Sequence, residues 1–259
     1  LPGRSVIITG AATPIGAACA RKFGEAGDRL VLAHANEDAG KEVAEGLRDS
    51  GMEVAFVHAD TSRRLDVHNI IAEALDANGG VDVLAHTVMD RFSAPFLETA
   101  EDDFDRVIER NIRGAFLINQ AVAKQFVKQE NDDANASGVI VNVGSVEAVT
   151  AAADHVAFAT SQGGMHQLTK AVALAMSPHN VRVNAVGVGA VKGDMEKGVQ
   201  PKRMRDVTPL KRIADPAEVA AVIFFLASEE ASYVTGQSIY VDGGRLAQLD
   251  PPDKDETQD

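Results

Sequence analysis

Short β-branched apolar runs alternating with longer amphipathic stretches leave this chain few folds to adopt. "SVIITG" precedes a helical stretch from Gly16, "RLVLAHA" precedes one through "DAGKEVAEGLRDSG", and "EVAFVHAD" precedes a third. That order is βαβαβ, read from the switch between two-residue and helical periodicity. It continues through "VDVLAH", one long helix over "DDFDRVIERNIRGAFLINQAVAKQFV", the strand "GVIVNVGS" and a helix over "AFATSQGG". The strand "VRVNAVGVG", the helix "PAEVAAVIFFLAS" and a last strand "QSIYVDGG" complete it. Strands as apolar as "VIIT" and "VIVNV" suit the middle of a parallel sheet covered on both faces. Right-handed crossovers then generate an α/β, single-domain, Rossmann-like doubly wound sheet with helices on both faces. Its ligands sit beyond the carboxyl ends of the strands.

At 259 residues and 45% hydrophobic content, the chain can bury one large core, assigned to residues 1–248. The final stretch, residues 249–259, is acidic, contains proline and has little to bury, so it is expected to be a disordered tail. "NDDANASG", residues 131–138, reads as a surface loop. A formal charge of −13 repels phosphate backbones and anionic lipid, which argues against nucleic acid or membrane partners. No apolar run approaches the ~20 residues of a membrane span. The single cysteine, Cys19, excludes a disulfide within the chain, and no signal segment is evident. A reducing cytoplasm is the expected location, and no metal is expected.

Within "AFATSQGG", Phe158 and Gln162 are four apart and project from one helix face. Neither exchanges a proton. Their meaning emerges from a resemblance carried by "ERNIRGAFLINQA", "SPHNVRVNAV" and "PLKRIADPAEVAAVIFFLASEEASYVTGQSIYVDGG". From "GRSVIITG" to "YVTGQSIYVDGG", the chain resembles the short-chain dehydrogenase/reductase family. The resemblance implies NAD or NADP, an alcohol or ketone substrate, and a cleft holding Asn, Ser and a Tyr-xxx-Lys pair. Asn111 and Ser145 match. The tyrosine position, thirteen residues after the serine, carries Phe158, and the lysine position carries Gln162. A phenol with an ordinary pKa of ~10 needs the neighbouring cation to titrate near neutrality, and here both partners are replaced. The two tyrosines, Tyr233 and Tyr240, lie in the final segment, away from Ser145. The nearest titratable neighbour is His155, either an acid/base group or a partly exposed loop histidine.

The family's glycine loop corresponds to "TGAATPIG", with Thr9, Gly10 and Gly16 in place, Thr13 and Ile15 at unspecified positions of the motif, and Pro14 where the middle glycine belongs. Proline removes a donor and fixes φ, although Thr13 and Pro14 make a sound helix start as N-cap and first helical residue. At the end of the second strand, His34 replaces both the acidic residue of NAD-preferring relatives and the arginine of NADP-preferring ones. Asp60 and Thr61 keep the usual position at the adenine edge. The family's Asn-Asn-Ala-Gly becomes "HTVM", starting at His86 and ending with the bulkier Val88 and Met89. Pro-Gly after the sixth strand becomes Val188-Gly189, and a threonine that often steadies the carboxamide becomes Gly193.

Core segments keep the family pattern while cleft positions change together, pointing to a scaffold kept without its original chemistry. Three readings stay open. The first is a short-chain dehydrogenase/reductase-like protein without ordinary alcohol or ketone redox activity, with weak or altered dinucleotide binding and a small-molecule ligand in the cleft. The second is an NAD(P)-dependent oxidoreductase using Ser145 and a non-tyrosine acid/base. The third is a silent subunit. A homo-oligomer, dimer or tetramer, is expected, with a hetero-oligomer as the variant, through the last strand and the helices around Phe116 and Met176. The segment between Gly193 and Pro209 corresponds to a variable substrate lid.

Overall fold

Seven strands pair wholly in parallel: β1 (Ser5–Thr9), β2 (Arg29–His34), β3 (Val54–His58), β4 (Val83–His86), β5 (Gly138–Ser145), β6 (Val181–Val188) and β7 (Ser238–Val241). Their order, β3-β2-β1-β4-β5-β6-β7, reverses direction between β1 and β4. That reversal splits the crossovers to opposite faces and opens a crevice at the strands' carboxyl ends. The computed structural model describes residues 3–134, 136–194 and 200–248. The acidic tail expected at 249–259, and residues 195–199 of the lid segment, lie outside the described residues.

The doubly wound α/β sheet expected from the alternation is the observed fold. All eight residues of β5 are buried, as a central strand with helices above and below requires. One apolar core joins Val6, Ile8, Leu32 and Val141 to the face covered by α1 (Pro14–Glu25) and α8 (Pro216–Leu226). The other joins Ile7, Val31, Leu84 and Ile140 to Ile70 of α3 (Arg64–Asn78) and Ile118 of α5 (Gly114–Asp132). Alternate residues of one strand feed opposite cores, which is the two-residue period at work.

Two local expectations need correction. The first helix begins not at the coarse start Gly16 but at Pro14, as the cap reading of Thr13 and Pro14 has it: Thr13 is its N-cap and accepts from the Gly16 amide at 3.0 Å. The long helix over 102–127 is interrupted. α4 (Glu101–Ile108) runs into a π turn, Glu109–Arg113, before α5 resumes. The cause is tertiary, because Asn111 and Arg113 reach the backbones of Asp90 and Ser62, and a π turn accommodates an extra residue without ending the helix. Met176 is packed in the second core at the end of α6 (Val156–Met176), and Phe116 of α5 is exposed. α2 (Glu37–Asp49) and the short α7 (Pro201–Asp206) complete the helices named here. Among the described residues no helix is long and apolar enough to cross a membrane.

Candidate active site

At the carboxyl end of the sheet, four of the sequence-derived site residues, Ser145, His155, Phe158 and Gly189, line one cavity. Ser145 ends β5 and caps the short turn after it, its Oγ accepting from the Glu147 amide at 3.2 Å. Phe158 and Gln162 lie in the first turns of α6, both buried. Asn111 comes from the π turn. A cavity of about 710 Å³ is lined by Arg91, Ser145, Glu147, His155, Phe158 and Asp194, among others.

Behind the cavity wall, the polar groups close on one another. Asn111 Nδ2 donates to Ser161 Oγ at 2.9 Å and to the Asp90 carbonyl at 2.9 Å, while its Oδ1 accepts from the Asp90 amide at 2.7 Å. Ser161 Oγ also accepts from Gln162 Nε2 at 3.2 Å and donates to the Phe158 carbonyl at 2.7 Å. Gln162 Oε1 is buried without a partner, and Gly144 leaves it room: a Cβ there would stand 3.3 Å from that oxygen. No member of this network titrates in the physiological range. Ser161 was not singled out from the sequence, though it lies one position before Gln162.

Phe158 is roofed by a cation. The guanidinium carbon of Arg91 stands 5.1 Å from the ring centroid, and Nη2 reaches Asp194 Oδ2 at 3.2 Å. Burial pushes the Asp194 carboxyl above its ordinary range, with Arg91 opposing that shift. His155 meets the Phe158 ring edge-on at 6.3 Å between centroids, and its Nδ1 lies 2.9 Å from Glu147 Oε1. It is a partly exposed residue at the N-cap of α6, within the cavity lining. Neither remaining tyrosine shares that cavity lining: Tyr233 is fully exposed, and the Tyr240 ring packs over Gly187 of β6. Arg91 and Asp194 were missed in the sequence because each stands in a loop with no periodicity to mark it, and Glu147 because the single turn after β5, Val146–Ala148, is too short to show one.

The dinucleotide positions divide into two halves. At the adenosine end, Asp60 and Thr61 follow β3, with Asp60 Oδ1 accepting from the Ser62 amide at 2.9 Å. His34 ends β2 and takes the Ala12 amide at 3.5 Å; burial lowers its pKa, which disfavours the charge a 2′-phosphate would seek. These residues suit an adenosine. In the glycine turn, by contrast, the amides of residues 11, 12, 13 and 16 are bonded inside the protein and Pro14 has none. Gly16 meets Gly10 so closely that a Cβ would stand 2.2 Å from the Gly10 carbonyl oxygen. Gly193 sits on Pro14, where its Cβ would lie 2.9 Å from the ring. Few donors remain for a pyrophosphate, and the strand-end loop after β6 lies against the glycine turn. The first turn of α1 therefore offers a pyrophosphate fewer free amides than a turn with glycine at position 14 would.

The neighbouring strand ends are equally occupied. His86 is fully buried, with Nδ1 2.7 Å from Thr9 Oγ1, and Thr87 Oγ1 donates to the Thr9 carbonyl at 2.8 Å. Met89 packs on the first core. Val188 ends β6 beside Val241, and the Gly189 amide donates to the Val241 carbonyl at 3.1 Å. Among the described residues, no cluster of His, Cys, Asp and Glu could hold a metal.

A wholly parallel doubly wound sheet, with a glycine turn at its switch point and Ser145 on the cavity at its carboxyl ends, defines a Rossmann-type protein. The family model described as enoyl-(acyl carrier protein) reductase matches residues 10–245. An uncharacterised oxidoreductase of Thermotoga maritima is 30% identical over 257 residues, covering 96% of this chain and 98% of that protein. An uncharacterised oxidoreductase of Bacillus subtilis is 31% identical over 259 residues, covering 95% and 92%. The crystal structure of a short-chain type dehydrogenase/reductase from Mycobacterium marinum superposes with a TM-score of 0.88 at 28% identity, covering 96% and 97%. The chain belongs to the short-chain dehydrogenase/reductase family.

Proposed function

We propose that this member of the family does not carry out the tyrosine-dependent reduction of carbonyls and instead holds a small molecule in its cleft. The observation that carries this is the closed network of Asn111, Ser161, Gln162 and Phe158. At the tyrosine and lysine positions it offers a hydrocarbon ring and a neutral amide, both buried. Positioned proton transfer supplies ~10²–10⁴ in rate, so ordinary turnover is lost with it. Dinucleotide binding is weak, because Pro14 and Gly193 close the turn that would hold pyrophosphate. Ser145 keeps an O–H able to donate to a ligand oxygen.

Purified protein given NADH or NADPH and a range of aldehydes and ketones is expected to show no oxidation of the coenzyme above the blank. Robust turnover that disappears in Ser145→Ala overturns the proposal. A second reading draws on His155, which Glu147 orients in the same cavity: an NAD(P)-dependent oxidoreductase with a non-tyrosine acid. It requires the dinucleotide to bind, so calorimetry without heat from either coenzyme at millimolar concentration excludes it.

A further inference from the structure

Arg91 stands in the cavity wall with its donors half used. Of the guanidinium edge formed by Nε and Nη2, Asp194 takes Nη2 at 3.2 Å, and Nε is buried without a hydrogen-bond partner. That edge is a pair of parallel N–H donors matched to the two oxygens of one carboxylate. An unmet buried donor is destabilising, so a ligand that satisfies both donors gains where the present partner satisfies one. Asp194 is also a weak incumbent, since its own carboxylate is desolvated. The ring of Phe158 holds the guanidinium from below and fixes the direction in which its edge faces.

Among the guanidinium groups on the cavity lining, Arg91 is the one with a buried Nε that lacks a hydrogen-bond partner. Glu147 and Asp154 both face His155, at 2.9 and 3.8 Å. Arg203 and Arg245 add two more guanidinium groups to the lining. The volume of about 710 Å³ lies within the range of small-ligand sites. We propose that the Nε–Nη2 edge of Arg91 is a carboxylate-binding subsite, in which a small organic acid displaces Asp194 and extends its body into the cavity over Phe158. The planar fork selects a carboxylate over its amide, which would turn an N–H donor toward Arg91. This rests on the reading that the cleft holds a small molecule and names the class of that molecule.

Calorimetric titration of the whole protein with acetate, benzoate and 2-naphthoate, each beside its amide, and with inorganic phosphate tests the site. At least one carboxylate is expected to bind saturably, with its amide and phosphate weaker by about tenfold or more. Arg91→Met removes that binding by a similar factor, and Arg91→Lys, which keeps the charge without the fork, weakens it as well. Asp194→Asn is expected to tighten carboxylate binding severalfold, because the intramolecular rival loses its charge; a bridge of purely structural value gives no tightening. The proposal is overturned by no saturable carboxylate binding at millimolar concentration, by equal binding of acid and amide, by phosphate binding as tightly, or by indifference to Arg91→Met. Any of these leaves the coenzyme assay unaffected, whereas turnover with NADH overturns the reading above and not the anchor.

Discussion

His86 should make the folded protein acid-sensitive, by an amount that the structure sets. Its imidazole lies in β4, in register between Thr9 of β1 and Asn142 of β5, fully buried, with Nε2 lacking a partner. Burial lowers its pKa from 6.5 to about 4. Between those two values the unfolded chain carries a proton that the folded chain rejects, so acid favours unfolding. The contribution is fully present above pH 6.5 and is lost as pH falls toward about 4. At ~1.4 kcal/mol per unit, the whole window is worth about 3 kcal/mol, and about 2 kcal/mol of it is lost by pH 5. His86→Asn keeps a polar partner for Thr9 Oγ1 but cannot titrate. Urea unfolding at about pH 7.5 and about pH 5 gives the stability of both proteins at each pH. The native protein is expected to lose about 2 kcal/mol more than the variant. His34 and His166, whose pKa values burial also lowers, contribute alike to both proteins and cancel in the difference. Equal acid sensitivity in the two proteins refutes the argument and means that His86 is charged, or solvated, in the native state.

Two further outcomes test the cleft. Phe158→Tyr with Gln162→Lys restores the family's pair yet leaves Pro14 in the glycine turn, so weak or no reductase activity is expected. Adding Pro14→Gly then raises dinucleotide affinity more than maximal rate, read by titration and steady-state kinetics; normal binding and turnover by the double variant contradict this. Gly193→Ala places a side chain at φ +76° and 2.9 Å from the Pro14 ring, so a loss of about 1–2 kcal/mol is expected in denaturant unfolding. The same change combined with Pro14→Gly loses less, and an additive result shows that the two residues do not press on each other.

Much of the frame was legible in the chain itself. β5 reads as buried on both faces because every position from Gly138 to Ser145 is small, apolar or a single Asn, and it is buried throughout. Thr13 and Pro14 read as a helix start because capping involves atoms three residues apart, and the Thr13–Gly16 bond is there. That Phe158 and Gln162 share one face was visible for the same reason, since residues four apart on a helix do so whatever the helix packs against, while their standing at the tyrosine and lysine positions was read from the resemblance alone. The π turn around Asn111 was not, since its cause is a contact with Asp90, twenty-one positions away. Arg91 was silent too, sitting in a loop where no periodicity marks a functional side chain.

By itself, then, the sequence determined the alternation of strand and helix, the apolar strands that demand cover on both faces, and a helix face carrying Phe158 and Gln162, neither of which titrates. These depend on side-chain chemistry and on neighbours a few residues apart, which a helix or strand repeats regardless of context. Only the tertiary structure decided that Arg91 would meet Asp194, 103 positions later, and that Gly193 would rest on Pro14. Those meetings arise because β1, β4, β5 and β6 lie side by side, so the loops at their carboxyl ends crowd into one crevice. Their contacts are set by sheet order and crossover handedness, and no local pattern of residues encodes which loop ends will touch.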